Sequence, residues 1–168
     1  ESTHLGILGT LKVNPSKKHI VTSQVEHPCV LGLCQRLEKE GYEVTYVGVD
    51  TNGNPDLKTF EKSLKADTAL VSLMWANNET GVLFPIEEVA KICDLKNIPL
   101  HIDATQAAGK IPIDLRKVPI HLLSISGHKL HAPKGIGALF VRRGTKINPL
   151  ILGGHQERGR RAGTENVA

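Results

Sequence analysis

The sequence lacks several common features, and each absence excludes something. Its three cysteines, Cys29, Cys34 and Cys93, are odd in number and form no C-x-x-C pair. A disulfide framework is therefore not expected, and a reducing, cytoplasmic compartment fits best. No apolar stretch approaches the roughly 18 to 20 residues that a membrane-crossing helix requires, so no membrane partner is expected. No basic and apolar leader with a small-residue cleavage site opens the chain, which starts at Glu1 and is expected to be an internal piece of a longer protein. H-E-x-x-H is missing. His128 and His131 lie three apart and His101 lies two from Asp103, but neither is a strong ligand spacing, so no metal is expected. "GIG" at 135–137 is not G-x-G-x-x-G, which removes the dinucleotide fingerprint. The basic stretch "ERGRRAG" (157–163) has no interleaved aromatics, which argues against nucleic acid.

The chain has 168 residues, 40% hydrophobic and 23% charged, with a net charge of +4. That is enough for one domain with a real core and hardly enough for two, so residues 1–168 are expected to form a single domain. The mild positive charge suits an anionic small molecule as well as a nucleic acid. Strand and helix patterns alternate along it. Residues 19–23, 42–49, 68–75, 99–103, 121–126 and 137–143 predict strands, and 28–41, 55–65 and 85–97 predict helices. The opening "ESTHLGILGTLK" also has a helical pattern. In the first predicted helix Val30, Leu31, Cys34 and Leu37 fall at helical spacing, with Gly41 as its stop. This rhythm predicts an α/β fold, a mostly parallel sheet flanked by helices.

Ligands of open α/β sheets gather beyond the carboxyl ends of the strands. Three such ends carry polar clusters: "WANNET" (75–80), "DATQ" (103–106) and "SGHK" (126–129). Asp103 could face a cationic ring nitrogen, Gln106 and Asn78 could offer amides, and Ser126 and His128 could bind a phosphate. Lys129 follows an apolar run and is expected near the protein interior, either ion-paired or chemically employed as an amine that condenses with an aldehyde. Together these groups would make a pyridoxal 5'-phosphate site. Plainer readings stand beside it. Asp103 could be only a helix cap, and Asn78 only a turn residue. Cys29, Cys34 and Cys93 are expected to be packed on helices, away from the strand ends.

"VEHP" (25–28), "MWANNETG" (74–81), "HIDATQAAGKIPIDL" (101–115), "SGHKLHAPKGIGAL" (126–139) and "GGHQERGRRAGTENVA" (153–168), in this order, closely resemble the NifS-like cysteine desulfurases. These belong to the class V aminotransferases, pyridoxal phosphate enzymes of fold type I. The resemblance implies that this chain is much of their large, cofactor-binding domain. It implies Lys129 as the Schiff-base lysine, His27 as the histidine that stacks on the ring and assists proton transfer, and Asp103 as partner of the pyridine nitrogen. Gln106 and Asn78 would lie near the phenolic oxygen, Ser126 and His128 at the phosphate. Thr164 would reach the phosphate of a neighbouring subunit, which implies a homodimer. The implied reaction removes sulfur from L-cysteine, leaves a persulfide on a mobile cysteine and releases alanine. A sulfur-acceptor scaffold protein for iron–sulfur cluster assembly is the implied partner. The family's catalytic cysteine loop has no counterpart here, so the piece alone is expected to be inactive. A selenocysteine lyase of the same family, and a non-catalytic basic anion- or nucleic-acid-binding domain, remain as alternatives.

Overall fold

A computed structural model describes residues 1–166. In chain order it contains α1 (Ser2–Leu11), β1 (His19–Ser23), α2 (Pro28–Lys39), β2 (Glu43–Val47), α3 (Leu57–Ser63), β3 (Thr68–Met74), α4 (Ile86–Leu95), β4 (Leu100–Asp103), β5 (Leu122–Ser126) and β6 (Gly137–Val141). The strands form one sheet in the order β2-β1-β3-β4-β5-β6. Every neighbouring pair is parallel except β5 with β6. The expected α/β sheet is present, with its predicted elements shortened by a residue or two at their ends.

Local chemistry sets those ends. α2 starts where the His27 ring accepts the Cys29 N–H at 3.2 Å, with Pro28 in the first turn. It stops because Gly41 adopts φ +88°, a left-handed conformation that glycine takes without steric cost. Its inward stripe is Val30, Leu33, Cys34 and Leu37; Leu33 takes the place expected for Leu31, which is only half-buried. α3 is capped by Asp56, whose carboxylate accepts from Lys58 N at 2.9 Å and Thr59 Oγ1 at 2.6 Å, so it begins after Pro55 instead of at it. All seven residues of β3 are buried, as a strand covered on both faces requires.

Two cores lie on the two faces of the sheet. On one side α1 and α2 bring Ile7, Leu11, Val30, Leu33 and Leu37 onto Ile20, Leu70 and Leu122. On the other, Phe60 of α3 and Ile86, Val89 and Cys93 of α4 pack against Val21, Val71, Leu73, Leu100 and Ile102. Alternation along β4 then turns His101 and Asp103 toward the α1 side. His101 is fully buried there. Its Nδ1 pairs with Ser72 Oγ at 2.9 Å and its Nε2 with Ser124 Oγ at 2.7 Å. Burial pulls its pKa down to about 4, so the ring is neutral. α1 crosses this layer at Gly6, where a Cβ would come within 2.8 Å of His101 Cδ2.

β1 has β2 on one side and β3 on the other, so the chain reverses its direction of travel across the sheet at β1. The crevice this opens at the carboxyl ends of β1 and β3 is where the fold can receive a ligand.

Candidate active site

A cleft of about 1100 Å³ lies at those strand ends. His27, Asn78, Asp103, Gln106, Ser126, His128 and Lys129 all line it. They come from the ends of β1, β3, β4 and β5, elements scattered over about a hundred residues of sequence. Thr164 is exposed and is not among the lining residues.

Each side chain has a local reason for its place. Asp103 ends β4 at 7% exposure. Its Oδ1 accepts the Thr105 N–H at 2.9 Å, so it caps a turn and not the helix of the plainer reading, and its other oxygen is left for something else. No lysine or arginine pairs with it among the described residues. A nearly buried carboxylate without a counter-cation can receive a cationic ligand atom. Asn78 is exposed on the loop after β3, and the turn is the work of its neighbour. Asn77 Oδ1 accepts the N–H groups of Glu79 and Thr80, both at 2.9 Å. Asn78 is thereby free of a turn-building role. Gln106 is half-buried, with Oε1 accepting from Lys110 Nζ.

His27 follows β1 and caps α2. Because its Nδ1 accepts the Cys29 N–H, the neutral ring carries its proton on Nε2. Ser126 Oγ and His128 Nδ1 are 2.8 Å apart at the end of β5. From there Gly127–Leu130 form one 3-10 turn, closed by His131 at φ 62°. Lys129 sits in that turn, and its placement corrects an expectation. It is exposed, at the mouth of the cleft, and not near the interior. β5 has already left the core by Ile125 and Ser126, which are half-buried, and Leu130 packs over Gly109 at the rim. Apolar neighbours in sequence therefore did not mean burial. No ion pair involves Lys129 among the described residues, which leaves its amine available.

The thiols also need a correction. Cys34 and Cys93 are fully buried, and burial pushes each up to about 12. Cys29, expected in the core, is instead half-buried in the first turn of α2 and lines the cleft. Burial raises its pKa first, then the charge of Asp103, so it is a thiol and not a thiolate.

The profile of aminotransferase class-V matches residues 1–168, the whole chain. The chain belongs to the class-V aminotransferase family. It is 57% identical over 168 residues to the cysteine desulfurase NifS of Azotobacter vinelandii, all of this chain and 42% of that protein. It is 56% identical over 167 residues to a cysteine desulfurase of Nostoc sp., covering 99% of this chain and 42% of that one. Among solved structures, a NifS-like protein superposes with a TM-score of 0.94 at 42% identity, over 98% of this chain and 46% of that one. SspA in complex with cysteine gives a TM-score of 0.93 at 41% identity, over 98% and 48% of the two chains. The chain thus spans less than half the length of the curated relatives it matches.

Class-V aminotransferases work with pyridoxal phosphate, and the residues present fit that group. The unpaired Asp103 suits a protonated pyridine nitrogen, the hydroxyl of Ser126 and the ring of His128 suit a phosphate, and the free amine of Lys129 suits an aldehyde. Sequence reasoning missed two groups that shape this class-V site. Asn77, which builds the Asn78 loop, was signalled only by the two asparagines in series. Glu26, buried beside His27, was signalled by no local pattern.

Proposed function

We propose that the protein carrying this chain is a pyridoxal phosphate-dependent cysteine desulfurase that takes sulfur from L-cysteine and releases L-alanine. The observation that carries the reading is one cleft holding a nearly buried, unpaired Asp103 together with an exposed, unpaired Lys129. The similarity to NifS of Azotobacter vinelandii supports the choice of cysteine as substrate. When bound, the cofactor supplies an electron sink for a carbanion next to the substrate amine.

The chain's own residues would do the following. Asp103 would keep the ring nitrogen protonated by pairing with it. Ser126 and His128 would hold the phosphate from the end of β5. Lys129 Nζ would hold the aldehyde carbon. His27, whose Nε2 carries the ring proton, is placed to stack on the ring and to pass a proton. Asn78 and Gln106 would orient the phenolic oxygen side. None of the described thiols is suited to take the sulfur, because Cys34 and Cys93 are buried and Cys29 is held protonated. The thiolate that accepts it therefore belongs to another part of the protein. Thr164 would act on the cofactor of a second subunit in a homodimer, and a sulfur-acceptor scaffold protein would take the persulfide sulfur onward for iron–sulfur cluster assembly.

The test is borohydride reduction of the full-length protein after incubation with pyridoxal phosphate, followed by peptide mass mapping. The pyridoxyl group is expected on the Lys129 peptide and nowhere in Lys129→Ala. Label confined to other lysines would overturn the assignment.

A further inference from the structure

Among the described residues, Glu26 Oε2 is the buried side-chain polar atom with no hydrogen-bond partner. The residue is 4% exposed and ends the loop that leaves β1. Its other oxygen, Oε1, accepts from Ser23 Oγ at 2.6 Å and from Met74 N at 2.9 Å. This joins two elements where they separate. At the end of β1 the backbone turns to β2, with Gln24 N bonding Val47 O at 3.0 Å. Met74 N, at the end of β3, donates to the Glu26 carboxyl in place of a strand. A second link lies alongside: Asn77 Nδ2 donates to Val25 O at 3.1 Å. The loop Val25–Glu26–His27 is thus tied twice to the loop Met74–Asn77–Asn78, at the point where the sheet opens to its ligand.

We infer that Glu26 is a positioning residue that works as a neutral carboxylic acid, holding His27 in register with Asn78 by bridging β1 to β3. The inference rests on the reading of His27 and Asn78 as cofactor-site groups. It follows from the surroundings. Asp103 of β4 and the Cys29 and Cys34 thiols of α2 lie within electrostatic reach of Glu26, and its contacts from β1 and β3 are Ser23 and the Met74 backbone. None of these is a cation. An ionised Glu26 would have a bare, buried oxygen within electrostatic reach of the Asp103 carboxylate. Burial, with Asp103 adding to it, accordingly raises its pKa from 4.5 to about 8.

The sign of the pH dependence follows. The folded protein binds this proton more tightly than the unfolded chain does. The stability it confers is complete below pH 4.5, is lost progressively as pH rises, and is gone above about 8. A glutamine keeps an acceptor for Ser23 and Met74 and cannot ionise. Leucine keeps the volume and loses the acceptor.

The experiment compares the full-length protein with Glu26→Gln and Glu26→Leu. Infrared difference spectra across pH 6 to 10 look for a protonated-carboxyl band at neutral pH, where exposed carboxyls are ionised. The band is expected in the wild type, is expected to disappear through about pH 8, and is expected to be absent from Glu26→Gln. Pyridoxal phosphate affinity, read from its absorbance, should stay within about threefold in Glu26→Gln, with its alkaline decline removed, and should fall about tenfold or more in Glu26→Leu because two buried donors are orphaned. A wild type without the neutral-pH band would overturn the inference. So would a Glu26→Gln variant as impaired as Glu26→Leu, since a charge would then be required. Should Glu26→Leu not fold, the infrared band and Glu26→Gln still decide. If the wild type binds no cofactor, the proposed function fails, while the band separately decides whether Glu26 is neutral.

Discussion

Gly6→Ala is a substitution for which two physical effects predict opposite signs, and the structure decides between them. In an exposed helix interior alanine is favoured over glycine by about 1 kcal/mol. Here the new Cβ would lie 2.8 Å from His101 Cδ2 and 3.3 Å from Leu139 Cδ1. The His101 ring cannot swing away freely, because Ser72 and Ser124 hold both its nitrogens and it has no exposed surface. If α1 moves out instead, overpacking costs about 1–3 kcal/mol. If the ring moves, a buried hydrogen bond is lost at about 1–3 kcal/mol. Against the propensity gain, either route leaves a net loss of about 0–2 kcal/mol. Urea denaturation of the full-length protein reads this directly. The companion measurement is the double variant Gly6→Ala/His101→Ala, in which the methyl group enters the space the ring vacates. The two changes should couple favourably by about 1 kcal/mol, as contacting residues do. A stabilised Gly6→Ala, or simple additivity in the cycle, would show that the close approach of α1 to His101 does not limit packing.

Two further predictions concern the chemistry. Asp103→Ala should cut turnover far more than stability: loss of its hydrogen bond to Thr105 N removes about 1 kcal/mol, whereas the proposed pairing with the ring nitrogen would be lost altogether. A variant that keeps wild-type turnover with cofactor bound would refute the proposed pairing. Changing Cys29, Cys34 and Cys93 together to Ser should leave sulfide release from cysteine per folded, cofactor-loaded enzyme within about twofold, because none of these thiols is poised as a thiolate. A collapse of sulfide release with intact cofactor absorbance would make one of them, with Cys29 first in line, the sulfur acceptor.

What the sequence shows of this fold is what chain neighbours decide. "TALVSLM" reads as a covered strand because seven consecutive residues must be buried. "PCVLGLCQRLEK" reads as a helix because its apolar spacing and its stop at Gly41 are local chemistry, while the His27 cap is seen only in the structure. Polar clusters after apolar strands pointed to Asn78, Asp103, Ser126 and Lys129, the family resemblance added His27, and the sheet does bring those strand ends together. The failures share a cause. Lys129 has apolar neighbours in sequence, but β5 leaves the core before reaching it. Cys29 lies one residue before Val30, at the edge of the helical stripe, and a helix end that abuts the cleft turns that edge position into lining. Glu26 is the deepest case. Nothing in "VEHP" distinguishes a buried glutamate from a solvated one, because its partners, Ser23 and Met74, are set by the strand order. Only when β3 lies beside β1 does an unpaired Met74 N–H meet a carboxyl with nowhere else to go. The groups that touch a ligand can be read as types in series, whereas the group that holds two of them in register exists only once the sheet has reversed its direction at β1.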